Sequence, residues 1–452
     1  MNKKNLIINT SESIEKALIK IDKNNNGFVF TCNDNNQIVG IATDGDIRRQ
    51  LIKNHDLNQK IENCMNKNFV FVTEDTPTEN IYKKFDKKIN IIPVIGPGGE
   101  LVSLYTKDNL PKRDEVETSS RAKSPVRISF GGGGSDTTTY FSLQNGAVIN
   151  ATISLYSYAS LYKRKDMKIS IDSLDLNKSV MVENIDQINS IDNDFNLITS
   201  VIKTIKPDFG FDLIINSDFP KGSGLGGSSA VCSSIIGCFN EFRIDKWNDY
   251  EIAEIAYESE RLRLDVAGGW QDQYATVFGG INFMEFKEAQ NLIHPLRISN
   301  RTLLELENNL ILCYTNSNHK DDSIHRDQKN KTENQEIIDN IKLNVELCYK
   351  TRDTLLKGKL DSFGDILNKT WALKKTFANA ITNPFLDKIY NNALKNGAIG
   401  GKLLGAGGGG YFIFYINSKE KNKFLKWMRN EKLIHTPFKF VEEGLKSWII
   451  RE

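Results

Sequence analysis

The sequence predicts an α+β chain in two regions, on three observations. A segment near the N-terminus is repeated: "GFVFTCNDNNQIVGIATDGD" (Gly27 to Asp46) lies over "NIIPVIGPGGELVSLYTKDN" (Asn90 to Asn109) without a gap, and such self-similarity marks a duplicated structural unit. The stretch "KRDEVETSSRAK" (Lys112 to Lys123) is polar, charged and without periodicity, as interdomain linkers are. Beyond it, strand-like runs ("SPVRISF", "FDLIINSDF", "LILCYTN", "GYFIFYI") mix with amphipathic helical ones ("YEIAEIAYESERL", "ENQEIIDNIKLNVELCYKTRDTLL", "PFLDKIYNNALKNG"). The absence of a strict βαβ rhythm favours α+β over a doubly wound sheet. At 452 residues the chain is also longer than one hydrophobic core usually organises.

In each N-terminal copy a helical stretch ("SIEKALIKI", "PTENIYKKF") precedes a strand, a turn, a second strand and a polar helix start, which reads as a tandem βαββα module. The pair resembles the tandem CBS repeats, over residues 1–112. That resemblance implies a regulatory module with an adenine nucleotide in its cleft, and an association into homodimers. It includes the Thr-x-x-Asp signature at Thr43 and Asp46, whose carboxylate would accept ribose hydroxyls. In the second copy Thr106 is followed by Asn109, a neutral amide. Asp46 is equally placed to cap the helix "DIRRQLI".

Composition excludes several classes. A hydrophobic content of 39% with 26% charged residues describes a folded globular chain. No apolar run approaches a membrane span, and "MNKKNLIINTSES" lacks the apolar core of a signal peptide, so the expected address is the cytoplasm, with no membrane partner. Six scattered cysteines without a C-x-x-C pair and five histidines signal neither disulfides nor a zinc site. A net charge of +2 supplies no global field for nucleic acid.

Three glycine-rich clusters carry the chemistry. "SPVRISFGGGGSDTTTYF" is a strand running into four glycines, then Ser135 and Asp136; "PKGSGLGGSSA" spans Pro220 to Ala230; "GGKLLGAGGGGYFIFY" spans Gly400 to Tyr415. A loop like the second, leading into a helix, turns its amides toward an anion such as phosphate. Alone it reads equally as a flexible turn. A kinase acting on a hydroxyl further needs a base, a divalent metal and a cation near the nucleophile. "ESERLRLDVAGGWQDQYATVFGGINF" offers Glu260 late in a helix and Asp272 just past the Gly268–Gly269 break, carboxylates able to face one pocket.

The order and spelling of these clusters resemble the GHMP kinase superfamily from Ser124 to the C-terminus, through Pro125 and Arg127, Pro220 to Ala230, and Gly405 to Gly410. The resemblance implies a two-lobed GHMP kinase fold, with an N-terminal ATP-binding lobe at about 124–300 and a C-terminal lobe at about 301–452, behind a linker at 113–123. It implies ATP and Mg2+ as cofactors. Asp272 would be the general base and Arg127 the cation that stabilises the attacking oxygen. Asp136, with Gly134 and Ser135, would bind the sugar. Lys221, Gly222, Ser223, Gly224, Leu225, Gly226, Gly227, Ser228 and Ser229 would cradle the ATP phosphates, with Gly405, Gly407 and Gly408 as the third motif. Ser229 and Glu260 would hold the metal. On the residues alone, Asp272 is also an N-cap for "QYATVF", Glu260 a partner for Arg263, and Arg127 a surface ion-pair member.

Finer spelling, "GGGGSD", "SGLGGSSA", "AGGWQDQYATVFGGINFMEF", "NATISLY" and "EEGLKSWII", resembles the D-glycero-D-manno-heptose 7-phosphate kinases. That branch implies phosphorylation of the anomeric hydroxyl to a 1,7-bisphosphate, toward nucleotide-activated heptose for surface polysaccharide. The alternatives are a fucose- or galactose-type kinase and a non-catalytic adenylate sensor; an intact Arg127, Ser229, Glu260 and Asp272 set argues against the sensor. Trp270 beside the base is read as core packing, or as a stack on a sugar face. "NSNHKDDSIHR", with His319, Lys320, His325 and Arg326, offers cations for a distal phosphate, or is a solvated loop.

Overall fold

The computed structural model describes residues 3–87, 89–111, 118–316 and 335–451. The chain divides into two compact units, Met1–Val116 and Glu117–Glu452. In the first, β1 (Ile7–Asn9) runs parallel to β2 (Phe28–Cys32), which pairs antiparallel with β3 (Ile38–Thr43); α1 (Ile14–Asn24) and α2 (Asp44–Asn54) complete the copy. The second copy has α3 (Thr78–Lys84) and an antiparallel pair, β4 (Ile91–Ile95) and β5 (Leu101–Thr106). Val72 forms a parallel bridge to Val94 in place of a first strand. Phe28, Phe30 and Ile38 of one copy share a core with Ile95 and Leu101 of the other.

The expected helix after β5 is not formed among the described residues. Thr106 and Asn109 instead close a turn through reciprocal backbone hydrogen bonds (3.2 and 3.1 Å), shortly before Pro111, which has no amide to donate.

The second unit begins inside the stretch expected to be linker. Strand β6 runs Thr118–Gly131, and its first residues pair with both β7 (Gly146–Lys163) and β17 (Lys446–Arg451). The polar composition misled because Ser119 and Ser120 are short hydroxyls that the fold buries. Ser120 Oγ donates to the Cys238 carbonyl (2.9 Å) and Ser124 Oγ to that of Thr276 (3.0 Å).

Strand β7 organises the large sheet. One edge carries β6; the other carries first β11 (Ile281–Lys287) and then β10 (Phe211–Ser217). The remaining strands are β8 (Ile169–Ser173) and β9 (Lys178–Val182) beyond β10, and β12 (Gln290–Pro295) beyond β11, in the order β12-β11-β7-β10-β8-β9. Helices α5 (Asn196–Ile205), α6 (Gly227–Asn240), α7 (Asp249–Tyr257) and α8 (Gln271–Phe278) cover one face over a core that includes Ile235, Phe239, Ala253 and Val277; the short α4 (Thr138–Phe141) precedes β7.

After α9 (Asn300–Asn309) comes a second, antiparallel sheet, β14-β15-β13-β16: Ala398–Leu403, Tyr411–Ile416, Leu310–Tyr314 and Ile434–Thr436. With it pack α10 (Gln335–Lys357), α11 (Phe363–Lys374), α12 (Pro384–Lys395) and α13 (Lys421–Asn430). The last strand does not stay in this lobe, as a boundary near residue 301 would have it. Strand β17 returns to the large sheet and covers the edge of β6, removing an unpaired edge.

Trp371 anchors the C-terminal core, 1% exposed and edge-on to Phe412 at 5.8 Å. Trp371→Ala is expected to lower the stability of the second unit by about 3–5 kcal/mol, read as a shift of its urea midpoint; an unchanged midpoint contradicts this packing.

Candidate active site

Strand β6 delivers Arg127 to the floor of a cleft in the second unit, and the first turn of α8 delivers Asp272 opposite it. Arg127 donates through Nε (2.8 Å) and Nη2 (2.7 Å) to the same oxygen, Asp272 Oδ1. Its Nη1 donates to the Gly224 carbonyl (2.8 Å). The guanidinium is 3% exposed and the carboxylate 14%, and Asp272 Oδ2 makes no hydrogen bond among the described residues. Arg127 is thus not a surface ion-pair member, and Asp272 lies inside α8 past its N-cap, Trp270.

Asp136 lies beside this pair. Its Oδ1 accepts from the Gly134 amide (3.1 Å), its Oδ2 from the Gln271 amide (3.2 Å), and its carbonyl from the Trp270 amide (3.1 Å). It thereby satisfies the N-terminus of α8, which has no side-chain cap of its own. The approach requires Gly269, where a Cβ would sit 1.9 Å from Asp136 Oδ2. Burial, and then the neighbouring Asp272 carboxylate, push the Asp136 carboxyl above its ordinary value. Ser135 does not reach the cleft. Its buried hydroxyl bonds the carbonyls of Gly132 (2.7 Å) and Ala147 (3.0 Å), stitching the first glycine turn to β7.

The second motif forms the turn before α6, with Gly226 at its N-cap. Gly224 and Gly405 meet backbone to backbone: both have positive φ, and a Cβ on Gly405 would lie 2.5 Å from the Gly224 Cα. The second and third motifs are thus one structure. Gly222 precedes Ser223, whose carbonyl accepts from the Tyr411 amide (3.1 Å). Leu225 is wholly buried in the apolar core and Lys221 is exposed. Gly227 packs its backbone on the Phe219 ring. Gly405 lines the cleft with Ala406, whereas Gly407 and Gly408 pack on Ile381, the Gly408 amide donating to its carbonyl (2.9 Å).

Glu260 sits on a π-helical turn, Glu258–Leu262, that extends α7. Such insertions re-aim a side chain and recur at functional sites. Its Oε1 accepts from Ser228 Oγ (2.5 Å), and its Oε2 from Ser229 Oγ (2.7 Å) and Gln273 Nε2 (2.7 Å). Both serines therefore bond the same carboxylate: Ser229, expected to hold the metal, is fully enclosed, and Ser228 is exposed.

In the first unit, Thr43 and Asp46 form a capping box on α2, with Asp46 Oδ2 accepting from the Thr43 amide (3.0 Å) and hydroxyl (2.6 Å). Burial raises the Asp46 carboxyl, but the donors of Thr43 and Arg49 outweigh it and hold the group below its ordinary value.

Sequence profiles agree with this division. The GHMP kinases N terminal domain matches residues 196–280, the GHMP kinases C terminal domain residues 351–430, and the CBS domain residues 1–53 and 61–112. The chain is 37% identical over 336 residues to the D-glycero-alpha-D-manno-heptose 7-phosphate kinase of Campylobacter jejuni, covering 73% of this chain and 99% of that protein. The chain belongs to the GHMP kinase family. Among solved structures it resembles a putative sugar kinase from Campylobacter jejuni (35% identity, TM-score 0.61, 75% of this chain and 100% of that one). It also resembles a D-glycero-D-manno-heptose 1-phosphate kinase from Bacteriodes thetaiotaomicron (29% identity, TM-score 0.61, 74% and 100%).

The cleft of this GHMP kinase has a second wall that sequence reasoning missed. Asn344 of α10 pins the first glycine turn, donating to the Gly133 carbonyl (3.1 Å). Lys374 ends α11 and donates to the carbonyls of Leu403 (3.1 Å) and Gly405 (2.5 Å). Lys402 of β14 is 2% exposed and makes no hydrogen bond among the described residues. Burial, then Arg127, pushes Lys402 down to about 7; burial, then Lys402 and Arg127, pushes Lys374 well below the ordinary lysine value. Trp270 is outside this wall. It stacks on Tyr257 at 3.5 Å and donates to Thr138 Oγ1 (3.1 Å), the packing role read from sequence. His319, Lys320, His325 and Arg326 lie outside the described residues.

Because the folded-state pKa of Asp136 is raised, its contribution to stability is fully present below the unfolded value and is lost as pH rises through the folded one. Asp136→Asn is therefore expected to melt at or above the wild-type temperature at pH 7, with the difference shrinking as pH falls toward about 4. Melting curves across that range check this; a variant less stable at pH 7 contradicts it.

Proposed function

We propose that this GHMP kinase transfers the γ-phosphoryl group of ATP to the anomeric hydroxyl of D-glycero-D-manno-heptose 7-phosphate. The observation that carries the reading is the Asp272 carboxylate, one oxygen clamped by buried Arg127 and the other unbonded beside the cleft. The substrate comes from the named activity of the Campylobacter jejuni relative. Asp272 Oδ2 accepts the proton of the C1 hydroxyl as that oxygen bonds the γ-phosphorus and the bond to the ADP oxygen breaks. Arg127 holds Asp272 in place and offsets negative charge at the attacking oxygen. Asp136 accepts a sugar hydroxyl, and the amides at the N-terminus of α6, through Gly224 to Ser229, receive the nucleotide phosphates.

The oxygen donors Ser228 and Glu260 fit Mg2+, which commonly takes one or two carboxylates and completes its shell with phosphate oxygens and water. When bound, the ion offsets charge on the transferring phosphoryl group. The first unit is assigned to adenine-nucleotide sensing, supported by its CBS match, with Thr43 and Asp46 facing the ribose.

ADP release from ATP and Mg2+, measured over a sugar panel, tests the reading. Turnover is expected with D-glycero-D-manno-heptose 7-phosphate and not with fucose or galactose. Asp272→Asn should lower kcat about a hundred- to ten-thousandfold while ATP binding persists; normal turnover in that variant removes Asp272 as the base.

A further inference from the structure

The walls of the cleft carry more positive charge than the proposed chemistry uses. Arg127 is paired with Asp272, and Arg261 lies 3.4 Å from Glu260. Lys374 and Lys402, in contrast, form no ion pair among the described residues, although both are more than nine-tenths buried. A buried lysine without a counter-charge is costly to ionise, so a site that keeps two such side chains is suited to an anion that would pair with them. A neutral sugar would leave them unpaired.

Two hydroxyls point to the same conclusion. Ser129 Oγ and Thr370 Oγ1 are buried, line this cleft and have no hydrogen-bond partner. Thr370 and Lys374 stand one turn apart on α11 and so share a face. Ser129 follows Arg127 by two residues on β6, on the same side of the strand. Ammonium and hydroxyl donors together match the acceptor oxygens of a phosphate dianion. Lys374 already spends two donors on the carbonyls of Leu403 and Gly405 and so fixes the third glycine motif, while Lys402 makes no hydrogen bond among the described residues.

We propose that Lys402, with Lys374, Ser129 and Thr370, binds the phosphate of the sugar substrate that takes no part in the transfer, and so selects phosphorylated over unphosphorylated sugars. The inference rests on the reading of the cleft as a sugar-phosphate kinase site. A terminal phosphate of ATP has the same chemistry, and the test separates the two sources.

Steady-state kinetics would compare D-glycero-D-manno-heptose 7-phosphate with the same heptose lacking the phosphate, in the wild type, Lys402→Met and Thr370→Val. The proposal predicts that Lys402→Met cuts the preference for the phosphorylated sugar about ten- to a hundredfold through its KM. Thr370→Val should cut it less, in the same direction. A rise in the KM for ATP with equal loss on both sugars assigns the ammonium to the nucleotide and overturns the proposal, as does a wild type that turns over the unphosphorylated heptose equally well. A wild type active on a different sugar phosphate removes the heptose but keeps the subsite, to be tested with the same variants on that sugar.

Calorimetric titration of the wild type at pH 8, in buffers of differing ionisation heat, needs neither turnover nor a variant. Lys402 faces Arg127, Asp136, Lys374 and Cys348. Against these neighbours, an arriving phosphate should draw about one proton onto it, and the unphosphorylated sugar none. Equal uptake for both sugars, or binding of the phosphorylated one without uptake, overturns the proposal.

Discussion

The ion pair between Arg127 and Asp272 is the contact on which the site is assembled. Its partners come from a strand near the start of the second unit and a helix well downstream, and the guanidinium also holds the Gly224 carbonyl. One side chain therefore fixes Asp272 relative to the glycine turn at the head of α6. Removing one partner of such a buried pair leaves an uncompensated charge, so neither residue is independent of the other. The surrounding geometry is built to admit them: Gly269 leaves room for Asp136 against the start of α8, and Gly224 and Gly405 bring two distant motifs into backbone contact.

Around that pair the cleft is an electrostatic device with its charges set in advance. Asp136 is pushed up by burial and by Asp272, while Lys374 and Lys402 are pushed down by burial and by Arg127. Each group is held toward its neutral form. Such preorganisation costs stability in the empty protein and lowers the reorganisation needed when charge develops. Glu260 is set differently, saturated by Ser228, Ser229 and Gln273, so that its position is rigid before any ligand arrives.

Much of this was legible in the sequence, for a physical reason. Backbone cradles need glycine in clusters, so the three motifs announce themselves, and Arg127, Asp136 and Asp272 stand at readable places beside them. Lys374 and Lys402 were not legible as site residues. A lysine late in an amphipathic helix and one in a strand look like solvated charges, and only the meeting of α11 and β14 buries them together. The start of β6 was lost because Ser119 and Ser120 resemble linker until they are seen to be buried, Ser120 on the Cys238 carbonyl. Ser228 and Ser229 are adjacent in sequence, and only the turn into α6 shows which hydroxyl is exposed.

The central claim, that Arg127 and Asp272 act as one unit, is tested most directly by a double-mutant cycle on kcat/KM using Arg127→Met and Asp272→Asn. Residues that act together give grossly non-additive losses. The account predicts that the double variant is scarcely slower than the worse single variant. Losses that multiply independently would mean that the two side chains serve separate functions, and would contradict the account.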